Sequence, residues 1–137
     1  MKKGAALIFA IILTTLFLTL AVFLTKIVYN AYSSVNLSWQ REQAFWLAEA
    51  GLEKGKIELS HNPGWYTDLP YGSPDNVSWL MKFAAGQENV LGDGAFKVVR
   101  EQARNYLYAI GGQGKAIVVL KLQFSSPPMR FSAWQEL

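Results

Sequence analysis

Hydrophobic positions follow three regimes along the chain. From Ala5 to Thr25 they form one run, AALIFAIILTTLFLTLAVFLT, with no charge, glycine or proline. As a helix this run rises 1.5 Å per residue and spans roughly 30 Å, the hydrocarbon thickness of a bilayer. Thr14, Thr15, Thr19 and Thr25 fit such a helix, because each hydroxyl can bond the carbonyl one turn back. From Lys26 the composition becomes mixed while the helical spacing continues: Val28, Tyr32, Val35, Trp39, Trp46 and Ala50 step by three, four or seven. A second row, Ala44, Ala48, Gly51 and Gly55, contains only small residues. Two glycines inside a helix cost roughly 1 kcal/mol each against alanine, so that face is expected to meet something at close range. The partner is either the chain's own sheet or a neighbouring helix in an assembly. Lys54 and Glu58 stand one turn apart, as an i,i+4 pair.

Asn62-Pro63-Gly64 stops the helix, since proline disfavours helical geometry before it and glycine allows the turn. His61, the one histidine, is placed at this end to interact with the last carbonyls. Trp65, Tyr66, Leu69 and Tyr71, with Pro70 and Pro74, make an aromatic loop that covers a small core or forms a contact surface. Asp75 is an N-cap for a short helix over 76–85, with Val77, Leu80, Met81 and Ala84 on one face. Asn76-Val77-Ser78 matches a glycosylation sequon, read as chance.

After the turn Gly92-Asp93-Gly94 the period changes to two. Strands are predicted over 94–102, 106–111, 115–124 and 130–136, with Gly111-Gly112-Gln113-Gly114 connecting the second to the third. In the third, Ala116, Val118, Leu120, Leu122 and Phe124 share one face. Hairpin-length connections make the sheet antiparallel, and a small sheet needs its apolar face covered. The second half of the long helix is the expected cover. The fold class is therefore α+β, a long N-terminal helix with a membrane half and an amphipathic half packed on a small antiparallel sheet.

Composition narrows the function. Of 137 residues, 13 are basic and 10 acidic, a net of +3. Without Lys2 and Lys3 the balance is 11 to 10, so nucleic acid ranks last among partners. A DNA-binding face from Lys97, Arg100 and Arg104 would need all three on one side, whereas Lys97 and Arg100 point oppositely on a strand. The absence of cysteine excludes a disulfide scaffold, a thiol nucleophile and a thiolate metal site. Asp68, Asp75, Glu88 and Asp93 are scattered in loops without calcium-loop spacing. The glycine-rich stretch opens no helix, so it is not a phosphate cradle. No nucleophile, base and orienter set is present. The expectation is a protein that is not an enzyme, with no cofactor and no metal site.

An ordinary secretory signal has a shorter apolar region and a small-x-small cleavage site. Here the longer run is followed by Lys26-Ile27-Val28-Tyr29. Lys2 and Lys3 favour a cytoplasmic N-terminus with the remainder outside.

Lys2-Lys3-Gly4, the apolar run, and Gln43-Ala44-Phe45-Trp46-Leu47-Ala48-Glu49-Ala50-Gly51-Leu52-Glu53 together resemble the type IV pilin-like proteins. The closest likeness is to PilX-type minor pilins and pseudopilins, in which an A-x-x-L-A-E-A-G-L-E segment follows the membrane run. The resemblance covers roughly residues 1–60. It implies a leader at 1–4, cleavage by prepilin peptidase after Gly4, and Ala5 as an N-methylated mature terminus. It also implies a membrane and filament-core helix over 5–25, an amphipathic helix over 26–61 and a head over 62–137. Phe9 occupies the fifth mature position, where most major pilins carry glutamate, which fits a minor, initiating or tip subunit better than a shaft protein. Ala5 departs from the family's usual phenylalanine. The residues expected in filament packing are Phe9, Ala44, Ala48, Gly51 and Gly55.

The implied function is assembly into a type IV pilus or related pseudopilus. The implied partners are other pilin or pseudopilin subunits, the peptidase, an inner-membrane assembly platform and membrane lipid. The alternative is an uncleaved, single-pass anchored binding module with an extracytoplasmic domain.

Overall fold

In the computed structural model, residues 2–67, 77–82 and 88–137 are described. They form a long helix α1 (Lys2–His61), a short helix α2 (Val77–Lys82) and strands β1 (Asn89–Leu91), β2 (Gly94–Val99), β3 (Tyr106–Gln113), β4 (Ala116–Ser125) and β5 (Arg130–Glu136). Asp68, Leu69, Pro70, Tyr71, Pro74, Asp75, Asn76, Ala84 and Ala85 lie outside the described residues. The aromatic loop beyond Thr67, the Asp75 cap, the sequon asparagine and the far end of the predicted short helix lie there with them. The chain divides into two units, Met1–Asn36 and Leu37–Leu137.

The first unit is helix. Its threonines bond backwards as the sequence implies: Thr14 to the carbonyls of Ala10 and Ile11, Thr15 to Ile12, Thr19 to Leu16 and Thr25 to Ala21, at 2.8 to 3.0 Å. By length and composition α1 can cross a membrane.

The second unit is α+β. Its five strands form an antiparallel meander in chain order. One sheet face packs on the last five turns of α1, through Ala44, Ala48, Leu52 and Leu59 against Val98, Leu107, Ala109, Val118, Leu120, Leu122 and Phe124. The other face carries a second buried cluster, Val99, Tyr108, Ile110 and Val119, covered by Leu80 of α2. Both faces of the sheet are thus dry over part of their area. The alternation in β4 shows why: Val118 and Leu120 belong to the first cluster and Val119, between them, to the second.

The small-residue row is the one that meets the sheet: Ala44, Leu47, Ala48, Gly51, Leu52, Gly55 and Leu59 are buried, while Val28, Tyr32, Val35, Trp39 and Trp46 are exposed. Helical spacing is common to both rows, and the small residues decide between them because only they admit the sheet closely.

Gly111, Gly112 and Gln113 are strand, not connection; only Gly114-Lys115 turns, with Gly114 at a φ of +57°. Glycine at 111 reflects packing, since a Cβ there would overlap the Ala44 carbonyl oxygen and the Ala48 nitrogen. β2 ends at Val99, where the strand was expected to reach 102. The chain then bends through Arg100 and Glu101, with Ala103 at a φ of +64°. Finally, β1 precedes the turn at Gly92 and pairs Val90 with Ala95. Its three residues are too few to show a period.

Candidate functional site

The sequence-predicted processing residues lie in the first unit. A Cβ on Gly4 would meet nothing within 4 Å, and Ala5 and Phe9 are exposed. All large apolar side chains from Leu7 to Leu24 are 41 to 70% exposed. A helix apolar all round is buried in lipid or protein, and neither is supplied by the described residues.

The four small residues assigned to filament packing are placed differently. Ala44 and Ala48 are fully buried. A Cβ on Gly51 would lie 3.1 Å from Ala109 Cβ and 3.2 Å from Phe96, and one on Gly55 would lie 2.6 Å from Leu107. This row carries the chain's own sheet, and a neighbouring helix has no access to it. Of the two partners the spacing allowed, the sheet fills the place. The large apolar side chains that α1 presents outward in the second unit include Trp39 and Trp46, 59 and 60% exposed, beside Leu37 and Ile57. Trp46 also borders a groove of about 440 Å³ shared with Gln43, Leu47, Leu91, Asp93 and Gln113.

The C-terminal strand is clasped to α1. Arg41 Nη2 donates to Glu136 Oε1 at 2.8 Å, and the Phe45 and Trp134 rings meet edge to face at 5.3 Å. The hydrogen bond from Arg41 to Glu136, and then the carboxylate's charge, push the Arg41 pKa up.

Lys97, Arg100 and Arg104 do not form an exposed basic face. Arg100 is only 7% exposed, its Cζ 5.1 Å from the Phe124 ring centre. Thr67 closes around its backbone: Arg100 N donates to Thr67 Oγ1 at 2.8 Å and Thr67 N to the Arg100 carbonyl at 2.9 Å. Among the described residues the Nε and Nη1 of Arg100 are buried without a hydrogen-bond partner, and burial pushes its pKa down. Arg104 Nε lies 2.7 Å from Oε2 of the buried Glu101.

At the end of α1, His61 Nδ1 donates to the Ile57 carbonyl at 2.8 Å, a geometry that puts the proton on Nδ1. Asn62 Oδ1 accepts from Gly64 N at 3.0 Å. Lys54 and Glu58 do not pair. Lys54 Nζ donates to Asn89 Oδ1 at 2.6 Å, drawn there by β1, which the sequence pattern did not reveal. Lys54, Glu58 and Asn89 line a cavity of about 220 Å³ with Trp65, Thr67 and Val98. The Lys54–Glu58 spacing and the indole just past the helix stop were the only sequence signals for it. Among the described residues no group of three metal-ligating side chains comes together.

No protein-family model, no curated protein and no solved structure matches the chain.

Proposed function

We propose that this protein is a minor subunit, initiating or tip-located, of a type IV pilus or related pseudopilus, and that it acts by assembly. Prepilin peptidase removes residues 1–4, Ala5 becomes the methylated terminus, and the 5–25 helix is stored in the inner membrane with its N-terminus cytoplasmic. An assembly platform then transfers it, with other pilin or pseudopilin subunits, to an extracellular or periplasmic filament.

One observation carries this reading. The segment that resembles the minor pilins, Ala44 to Glu53, supplies the buried residues Ala44, Leu47, Ala48, Gly51 and Leu52 that meet the sheet. The same helix begins with apolar side chains that the described residues leave uncovered. A helix of this kind serves both as head scaffold and as a segment needing lipid or other helices.

The test is the exact mass and N-terminal sequence of the protein from native membranes, with and without the peptidase. Loss of Met1 to Gly4 and a methylated Ala5 are expected with the enzyme. An intact N-terminus in both samples would replace this reading with the uncleaved, anchored binding module.

A further inference from the structure

The cavity where the last turns of α1 meet β1 has a distinct chemistry. Lys54 Nζ is held on Asn89 Oδ1 at 2.6 Å. The half-buried Glu58 side chain has no hydrogen-bond or ion-pair partner among the described residues. Trp65 is half-buried and packs on the core beneath, its backbone N–H bonded to Asn62 O at 2.9 Å. An indole fixed by its own packing thus shares a wall with a carboxylate acceptor and an ammonium donor.

The geometry points to a subsite for one neutral, polyhydroxylated ring, a single pyranose unit of a saccharide. Lys54 and Glu58 carry opposite charges, so a ligand of net charge gains from one and loses to the other. A pyranose uses both: vicinal hydroxyls donate to the Glu58 carboxylate, and a ring or hydroxyl oxygen accepts from Lys54. Its C–H face covers the indole, an apolar surface with a polar edge. The volume, about 220 Å³, falls below the usual range for drug-sized ligands and suits one ring. A small zwitterion would satisfy the two charges and leave the indole bare, which makes glycine the discriminating competitor.

The experiment uses the full chain in dodecylphosphocholine micelles, a detergent without sugar. D-glucose, D-galactose and N-acetyl-D-glucosamine are titrated by saturation-transfer NMR and by tryptophan fluorescence. At least one sugar is expected to give saturable, millimolar binding, weakened about ten-fold or more by Glu58→Ala. Trp65→Ala should abolish the fluorescence response, and Trp134→Phe should leave the affinity unchanged. Because Trp65 packs on the core, Glu58→Ala decides the matter if the tryptophan variant misfolds. No saturable signal from any of the three sugars overturns the assignment. So does unchanged affinity in Glu58→Ala, or displacement of the sugar by equimolar glycine.

Discussion

Gly111 of β3 lies directly beneath Ala44 of α1, so close that a single added methyl would overlap the Ala44 carbonyl oxygen. Main chain meets main chain there, and neither side can yield without moving a whole element. Gly111→Ala is therefore expected to destabilise the protein by at least about 3 kcal/mol. Gly55→Ala meets the ends of the Leu107 side chain at 2.6 and 2.8 Å. Those atoms can rotate away, and alanine's helix propensity offsets part of the strain, leaving a cost of about 1 kcal/mol. Gly112→Ala, with its nearest neighbour at 3.9 Å, should fall within about 0.5 kcal/mol of the parent. Urea unfolding in micelles gives all three, and an equal loss at 111 and 112 would refute the close approach.

Arg100 supplies a pH-dependent test. Its guanidinium is buried over Phe124 with two nitrogens lacking partners among the described residues, so the charged form is disfavoured in the fold and burial pushes its pKa down. The sign follows from linkage: a basic group depressed in the native state penalises folding at every pH below its native pKa. That penalty is relieved only as the pH climbs above it. Arg100→Met removes the charge and keeps an S–aromatic contact, so it should stabilise the protein by about 1–3 kcal/mol. The gain should be equal at pH 5 and pH 9, since arginine is protonated at both. Destabilisation by Arg100→Met would show that the guanidinium has a partner essential to the fold.

The turn after β2 holds another strained position. Ala103 has a φ of +64°, where its Cβ crowds the following carbonyl and glycine does not. Ala103→Gly is expected to raise stability by about 0.5–1 kcal/mol, the relief of strain exceeding glycine's entropy cost. A lower melting temperature for the variant would contradict the backbone assignment.

The clasp between β5 and α1 separates a charge contact from a ring contact. Arg41 and Glu136 are bonded on the surface, where an ion pair adds little, so Arg41→Ala should leave the melting temperature unchanged. Phe45 and Trp134 meet edge to face, and a double-mutant cycle to alanine should return a coupling of about 0.5–1.5 kcal/mol. Zero coupling would mean that the rings are neighbours without interacting.

These positions also show what could be read from the chain before folding. The helix stop at Asn62-Pro63, the period-two strands and their antiparallel order follow from local rules. The bend at Arg100 does not, because Phe96, Val98 and Arg100 continue the alternation of β2 although the strand stops at Val99. Gly111-Gly112 reads as a loop until α1 is laid on it. The face of α1 that is buried, and the transfer of Lys54 from Glu58 to Asn89, depend on partners many residues away. The cavity beside Trp65 needed β1, whose three residues carry no period.

Trp39 and Trp46 provide the prediction that bears on assembly. They extend the row that helical spacing marked as apolar, yet both are mostly exposed, while Ala48 is fully buried against the sheet. If the protein joins a filament, the tryptophans are available to neighbouring subunits and the small row is not. Trp39→Ser and Trp46→Ser should change stability by no more than about 0.5 kcal/mol and should lower recovery of the protein in the sheared filament fraction. Ala48→Leu should do the reverse in order: it overpacks the helix–sheet contact and costs about 1–3 kcal/mol, so loss of folded protein precedes any assembly defect. Undiminished recovery of both tryptophan variants would assign that face to solvent and leave assembly to the 5–25 helix alone.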